Sequence, residues 1–290
     1  MEGVRCKILG DLKSAITYFD QCMKLYKGSA AVRYELASIL ALGDDLTLPL
    51  QLMREAVKLE PDNIWYKLLL ANILQKKSMI DEACAVYDEL IAQHPDREDF
   101  YLVETGLYTS VEKWEKAIEV LDRHEARFGL NESVSVEKAK LYAQLKDIKK
   151  ASSEIMKLVK AYPEKTDYLG LLAELYLSND EEKKGLQVLE KVVKKEPDNG
   201  FAQLFMADYY YSKGDTVESE RLLKNVLVND RVDNGLKVQY LLKLLVNQKE
   251  LNLSVEKVYG YERILLERYP DDLSVRTLNA DFLKRMNQLD

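Results

Sequence analysis

Small and large apolar positions recur along this chain at a fixed interval. One column, Gly3, Ala37, Ala71, Thr105, Ala139, Ala173 and Ala207, is small throughout; a second, Ala15, Pro49, Ala83, Ala117, Ala151, Gly185 and Ser219, is nearly so. A third column, Phe19, Met53, Tyr87, Leu121, Ile155, Leu189 and Leu223, is large and apolar. A fourth reads Cys6, Leu40, Leu74, Tyr108, Tyr142, Tyr176 and Tyr210. Each step is 34 residues (71 − 37). The tetrapeptide Glu60-Pro61-Asp62-Asn63 returns letter for letter as Glu196-Pro197-Asp198-Asn199, four such steps later, and Pro95 and Pro163 lie on the same lattice. One supersecondary unit repeated in tandem organises the chain, because a single unit cannot bury its own apolar face and must stack on its neighbours.

With the recurrent proline set at position 32, the four columns fall at positions 8, 20, 24 and 11. The pattern predicts two antiparallel helices per repeat, A and B. Small residues at 8 and 20 let the two backbones approach, and large ones at 11 and 24 fill the volume around that contact. Proline at 32 ends helix B, since it biases the preceding residue away from the helical region. Asp62-Asn63 and Asp198-Asn199 offer caps for the next helix A. Gly129 and Arg231 stand where the lattice places proline, and His124 stands at position 27, where a small or apolar residue is expected. Pro49 at position 20 is accommodated if its helix starts near Thr47, because proline is accepted in a first helical turn.

The lattice predicts these boundaries: a shortened repeat at 1–29 with helix B over about 11–26; regular repeats at 30–63, 64–97, 98–131, 132–165, 166–199 and 200–233; an irregular repeat at 234–272; and a terminal capping helix at 273–290. In the irregular repeat, helix A is expected over about 236–247, and helix B ends at Tyr269-Pro270, five residues late. The extra length falls near Asn247 to Ser254, as a longer loop or an extended helix B. Val275, Leu278, Phe282 and Met286 share one face of the last helix, as a solenoid cap requires.

The series Leu70, Ala71, Leu74, Ala83, Tyr87, Leu90 and Pro95 resembles the signature of the tetratricopeptide repeat (TPR) family, and the match in register runs over nearly the whole chain. The resemblance implies an all-α fold, a right-handed superhelical solenoid of about eight stacked helix-turn-helix repeats forming one domain over 1–290. It also implies that the A helices line a concave groove that holds extended or helical peptides, through positions 2, 5, 6, 9, 12 and 13. The candidate partner-binding residues at those positions are Tyr34, Ser38, Trp65, Leu68, Asn72, Lys76, Lys140, Glu174, Phe201, Phe205, Asp208 and Tyr211; Leu42, Leu102, Gly106, Leu171 and Leu204 share the strip. Phe201, Phe205 and Tyr211 are either an interface anchor or packing against the next repeat. The family's carboxylate clamp is not expected: Asn72 fits it, but Leu68, Val103, Ser133 and Glu137 occupy the other positions.

Composition narrows the function further. The net charge is −7, and Lys and Arg are interspersed with Asp and Glu. This argues against nucleic acid, which needs a basic stripe, and against anionic membrane surfaces. No apolar run reaches the length of a membrane span. Cys6, Cys22 and Cys84 are too few and too odd for a disulfide framework, which fits a reducing compartment; an export signal ahead of the shortened first repeat is the competing expectation. His94 and His124 lack metal-binding spacing, and no phosphate loop or nucleophile elbow occurs. Neither catalytic nor metal-binding residues nor a cofactor are therefore expected. His94 reads as a helix-end group and His124 as a satisfied interior histidine. Carboxylate pairs such as Asp81-Glu82 read as helix-start charges. The resulting expectation is a non-enzymatic scaffold that binds a protein or peptide in the groove, most like arrays common in bacterial proteins by analogy alone. The alternatives are an interaction module of a larger enzyme or regulator, and a self-associating structural protein in which homo-oligomerisation joins two copies. A small-molecule sensor is a weaker alternative.

Overall fold

The computed structural model describes residues 1–247 and 253–286. All regular structure among them is helical. The helices follow one another in pairs: α1 (Glu2–Ile8) with α2 (Leu12–Leu25), α3 (Ala30–Leu40) with α4 (Thr47–Leu59), α5 (Ile64–Lys76) with α6 (Ile80–Gln93), and α7 (Glu98–Ser110) with α8 (Trp114–Phe128). Then come α9 (Glu132–Gln144), α10 (Ile148–Ala161), α11 (Asp167–Leu177) with α12 (Glu182–Lys195), and α13 (Gly200–Ser212) with α14 (Thr216–Val228). The series ends with α15 (Asn234–Val246), α16 (Val255–Arg268) and α17 (Leu273–Met286). The fold is an all-α helical-repeat solenoid.

The chain divides into two compact units, 1–151 and 152–290. In the first, consecutive helices from α1 to α9 pack in turn, and one apolar cluster runs from Ala15 to Leu141. In the second, α11 packs on α12, α12 on α13 and α13 on α14. There α14, α15, α16 and α17 close around a cluster that includes Leu223, Leu241, Leu265, Val275 and Phe282.

The small-residue columns are where the packing is tightest. Every residue at positions 8 and 20, from Gly3 and Ala15 to Ala207 and Ser219, is buried. A Cβ added at Gly185 (position 20) would lie 2.6 Å from Leu177 Cγ and 3.4 Å from the Ala173 carbonyl oxygen, position 8 of the same repeat. The two helix backbones therefore meet where both columns are small, as the sequence predicts.

The repeated tetrapeptide builds the same local structure twice. Glu60 and Glu196 precede proline at φ −133° and −129°, outside the helical region, and end α4 and α12. Asn63 Oδ1 accepts from Trp65 N at 3.1 Å and Asn199 Oδ1 from Ala202 N at 3.0 Å. In both copies the asparagine Nδ2 donates back to the glutamate, at 3.3 Å and 2.9 Å. Asparagine alone is thus the cap. The aspartate tethers the loop to a neighbour instead: Asp62 accepts from Gln93, and Asp198 pairs with Arg231 at 2.9 Å. Gly129, in place of proline, ends α8 by a left-handed backbone at φ 81°.

Pro49 is the third residue of α4 and is buried there. In repeat eight, α16 has the ordinary length of a B helix and is capped by Ser254, so helix B is not extended; the inserted residues 248–252 lie outside the described residues. Val275, Leu278 and Phe282 of α17 are buried as expected, and the Met286 side chain also lies outside the described residues. His124 is interior, with Nε2 2.9 Å from Glu98 Oε1, yet its Nδ1 has no hydrogen-bond partner. It is therefore only half satisfied, because Tyr101 and Phe128 close over the other side of the ring.

Candidate partner-binding face

Each helix A turns the same positions to water. Position 2 is exposed in all six regular repeats: Ala31, Trp65, Asp99 and Ser133 in the first unit, Asp167 and Phe201 in the second. Position 13, from Leu42 to Ser212, is also exposed throughout. Position 9 is exposed at Asn72, Gly106, Lys140 and Glu174 and half-buried at Ser38 and Asp208. Helical spacing (2, 9, 13) puts these on one stripe, turned away from position 8, which is buried in every copy.

In the first unit three consecutive repeats each expose large apolar side chains on or beside this stripe, among polar ones. Leu42 is 71% exposed, Trp65 66%, Leu102 46% and Val103 41%. Leu68 and Tyr34 are half-buried and pack on the core beneath, and Tyr34 lies with its ring 5.1 Å from that of Tyr66. The polar candidates here are largely engaged within the unit. Lys7 Nζ donates to Glu35 at 2.6 Å and to Ser38 Oγ at 2.8 Å, and Ser38 donates to the Glu35 carbonyl. Lys76 Nζ donates to the Ala41 carbonyl at 2.9 Å, and Lys140 pairs with Glu137 at 3.6 Å. Asn72 is exposed.

In the second unit the stripe is mixed. Phe201 is 39% exposed and Phe205 half-buried, with ring centroids 4.5 Å apart. Leu204 is buried in the core cluster with Leu241 and Leu245, so it belongs to the interior rather than the stripe. Asp208 accepts from Tyr240 Oη at 2.6 Å and pairs with Lys243 at 2.5 Å; burial and the adjacent carboxylate hold the Tyr240 phenol well above its ordinary pKa. Tyr211 is half-buried. Glu174 is exposed and lines a pocket with Asp167, Gly170, Leu189, Val192 and Phe201.

The sequence placed Gly106 on this strip but passed over Gly170. Both sit inside A helices on this face, and a Cβ added at either would meet nothing within 4 Å. The available signal was a glycine at position 9 or 5 of a helix whose other copies carry a side chain. Among the described residues no cluster of His, Cys, Asp and Glu has the arrangement to hold a metal ion, and no helix is long and apolar enough to cross a membrane.

Models of the tetratricopeptide repeat match the chain at residues 67–97 and 133–165. The chain is a tetratricopeptide-repeat protein. Solved structures with the same fold include a chain of the Naa15/Naa10 complex bound to HypK-THB, 14% identical with a TM-score of 0.61 over 97% of this chain. This TPR chain spans only 43% of that one. A second is the C-terminal part of a TPR repeat-containing protein from Cytophaga hutchinsonii, 17% identical with a TM-score of 0.51, covering 80% of this chain and 95% of that one. No curated protein matches in sequence.

Proposed function

We propose that this TPR protein is a protein-interaction scaffold that holds a segment of a partner protein along the exposed stripe of its A helices. The observation that carries the reading is the apolar run at Leu42, Trp65, Leu102 and Val103 in the first unit. Water-exposed indole and branched side chains in successive repeats are more than a solvated helix face requires, and they are the anchor type at interfaces. Burying Trp65 against a partner would contribute about 1.5–3 kcal/mol. The stripe needs no cofactor or proton transfer to do this, and the charged groups beside it are tied down by Lys7 and Lys140 rather than poised for chemistry.

A photo-crosslinking amino acid placed at 65 or 102 is expected to yield a discrete adduct in cells. The same group at Glu119, an exposed position on α8, is expected to yield none. Adducts of equal intensity from all three positions, or none from 65 and 102, would overturn the reading.

A further inference from the structure

We propose that the pocket opened at Gly170 receives a large aliphatic or aromatic side chain of a partner peptide, flanked in that peptide by lysine or arginine. This rests on the scaffold reading and names the ligand chemistry of one place on its face. Position 5 of helix A carries Tyr34, Leu68, Leu102, Val136 and Leu204 in the other regular repeats, and glycine only here. Glycine in a helix interior is disfavoured relative to every residue but proline, so its presence calls for a reason. Close approach supplies one elsewhere: a Cβ at Gly200 would fall 2.5 Å from Val232 Cγ2, and one at Gly185 2.6 Å from Leu177. At Gly170 there is open space within 4 Å, and the backbone is ordinary helix. Gly170 opens onto a pocket of ≈ 320 Å³. Leu189 and Val192 of α12 and the ring of Phe201 line it, and Asp167 and Glu174 are the acidic groups among its walls.

Charge decides what enters. Six carboxylates lie at positions 2, 6 and 9 of the regular A helices. Four are paired inside their own unit: Glu35 with Lys7 at 2.6 Å, Asp99 with Arg97 at 2.8 Å, Glu137 with Lys140 at 3.6 Å and Asp208 with Lys243 at 2.5 Å. Asp167 and Glu174 are the two that form no ion pair among the described residues, and both border this pocket. Asp167 also sits in the first turn of α11, where the helix dipole accounts for an acidic residue. Glu174 begins the last turn, where the dipole disfavours an acid, and has no such account. An apolar cavity rimmed by two carboxylates that form no ion pair among the described residues fits an apolar side chain between cations, and repels one between acids.

The probe is an array of immobilised twelve-residue peptides, with Leu, Phe, Trp or Ala at the centre and Lys/Arg, Ser or Glu beside it. The full chain is applied to it as wild type, Gly170→Leu, Glu174→Lys and Trp65→Glu. Wild type is expected to be retained at least tenfold better by a large centre with basic flanks. Gly170→Leu, which puts a side chain into the pocket without lowering the melting temperature, is expected to lose that retention at least tenfold. Glu174→Lys, an exposed change that leaves the pocket open, is expected to move the preference from basic to acidic flanks. Retention that ignores flank charge, or that survives Gly170→Leu, overturns the inference. If such retention is abolished by Trp65→Glu, the scaffold reading stands without it. If no peptide is retained by any form and the crosslinks from 65 and 102 are also missing, both fall.

Discussion

The A-helix stripe of the first unit and that of the second are built on the same lattice and present different chemistry. In the first, Leu42, Trp65, Leu102 and Val103 stand out into water, and the nearby charges are neutralised by partners such as Lys7. In the second, the rings of Phe201 and Phe205 pack against each other at a tilt of 54°, and the row is interrupted at Gly170 by a pocket with unpaired carboxylates. Positions 8 and 20 are alike in both units because they are where two backbones touch. Positions 2 and 13 differ because they face water in every regular repeat and helix-to-helix contact does not restrict them. The repeat thus separates the residues that hold the structure from those free to choose a partner.

Glycine offers the sharpest way to break this distinction. At Gly185 the neighbouring helix is already in contact, so Gly185→Leu must displace Leu177 or the α11 backbone. Such overpacking is expected to cost about 2–3 kcal/mol. At Gly170 the same substitution meets open space and removes the helix penalty of glycine, so it is expected to stabilise by about 0.5–1 kcal/mol. Urea denaturation of the two variants reads both signs. A loss at Gly170 comparable to that at Gly185 would make the two glycines equivalent and remove the distinction between packing and surface columns.

Two buried glutamates sharpen the comparison from the inside. Glu104 in the first unit is 1% exposed but accepts from Arg123 at 2.8 Å, and Arg123 also binds Asp88. Glu262 in the second is fully buried, and neither carboxyl oxygen has a hydrogen-bond partner. Burial pushes both up to about 7; in Glu104 Arg123 opposes the shift, and in Glu262 Arg263 does so from the same helix. Glu262→Met exchanges an unpartnered polar group for an apolar one of similar length. It is expected to stabilise at pH 8 by about 1–2 kcal/mol. Glu104→Met strips Arg123 of one of two acceptors and is expected to destabilise by about 1 kcal/mol. A gain at both sites would mean that Arg123 contributes nothing to holding Glu104. In the wild type, a carboxyl whose folded pKa is raised binds its proton more tightly when folded. That stability is complete below about 4.5 and is lost as pH rises through about 7. The urea midpoint is therefore expected to fall between pH 5 and 7.5, and to flatten in Glu104→Gln/Glu262→Gln.

The division between columns also explains what could be read from the letters alone. The packing columns were legible because contact between helices restricts them in every copy: Ala83, Ala117 and Leu121 are as buried as their periodicity implies. The turn was legible too, down to the cap at Asn63. The binding face was legible only as a set of positions. Helical geometry places Trp65 and Glu174 on it, but whether a polar group there is free depends on long side chains reaching across from the next repeat. Asp208 looks available in sequence and is held by Tyr240 and Lys243 from 32 and 35 residues away. Leu204 looks like stripe and is core, because Leu241 and Leu245 of α15 share its apolar cluster. Gly170 was silent for the opposite reason. A missing side chain gives no periodic signal, and its consequence is visible only as a space.

One column shows the same backbone demand in both units and should give the smallest effects. Position 15, in the turn between helices A and B, has positive φ at Gly10, Ser78, Glu112, Lys146, Asp180 and Gly214. Four of these carry a side chain at φ 58–59°, where Cβ crowds the following carbonyl at a cost of about 1–2 kcal/mol. Glycine avoids that cost but loses more chain entropy on folding, by up to about 1 kcal/mol. Glu112→Gly and Lys146→Gly are therefore expected to stabilise by about 0.5–1 kcal/mol, and Asp180→Gly by less, because a short acidic side chain tolerates this region through local hydrogen bonding. Chemical denaturation of the three variants tests the order. If Lys146→Gly in the first unit and Asp180→Gly in the second both gain and differ only by what the side chain explains, the turn is one device used twice. The contrast between the units is then confined to the exposed stripe. If Asp180→Gly instead destabilises, the second unit holds its turn by contacts that Asp180 itself supplies, and the two units differ in backbone as well as in face.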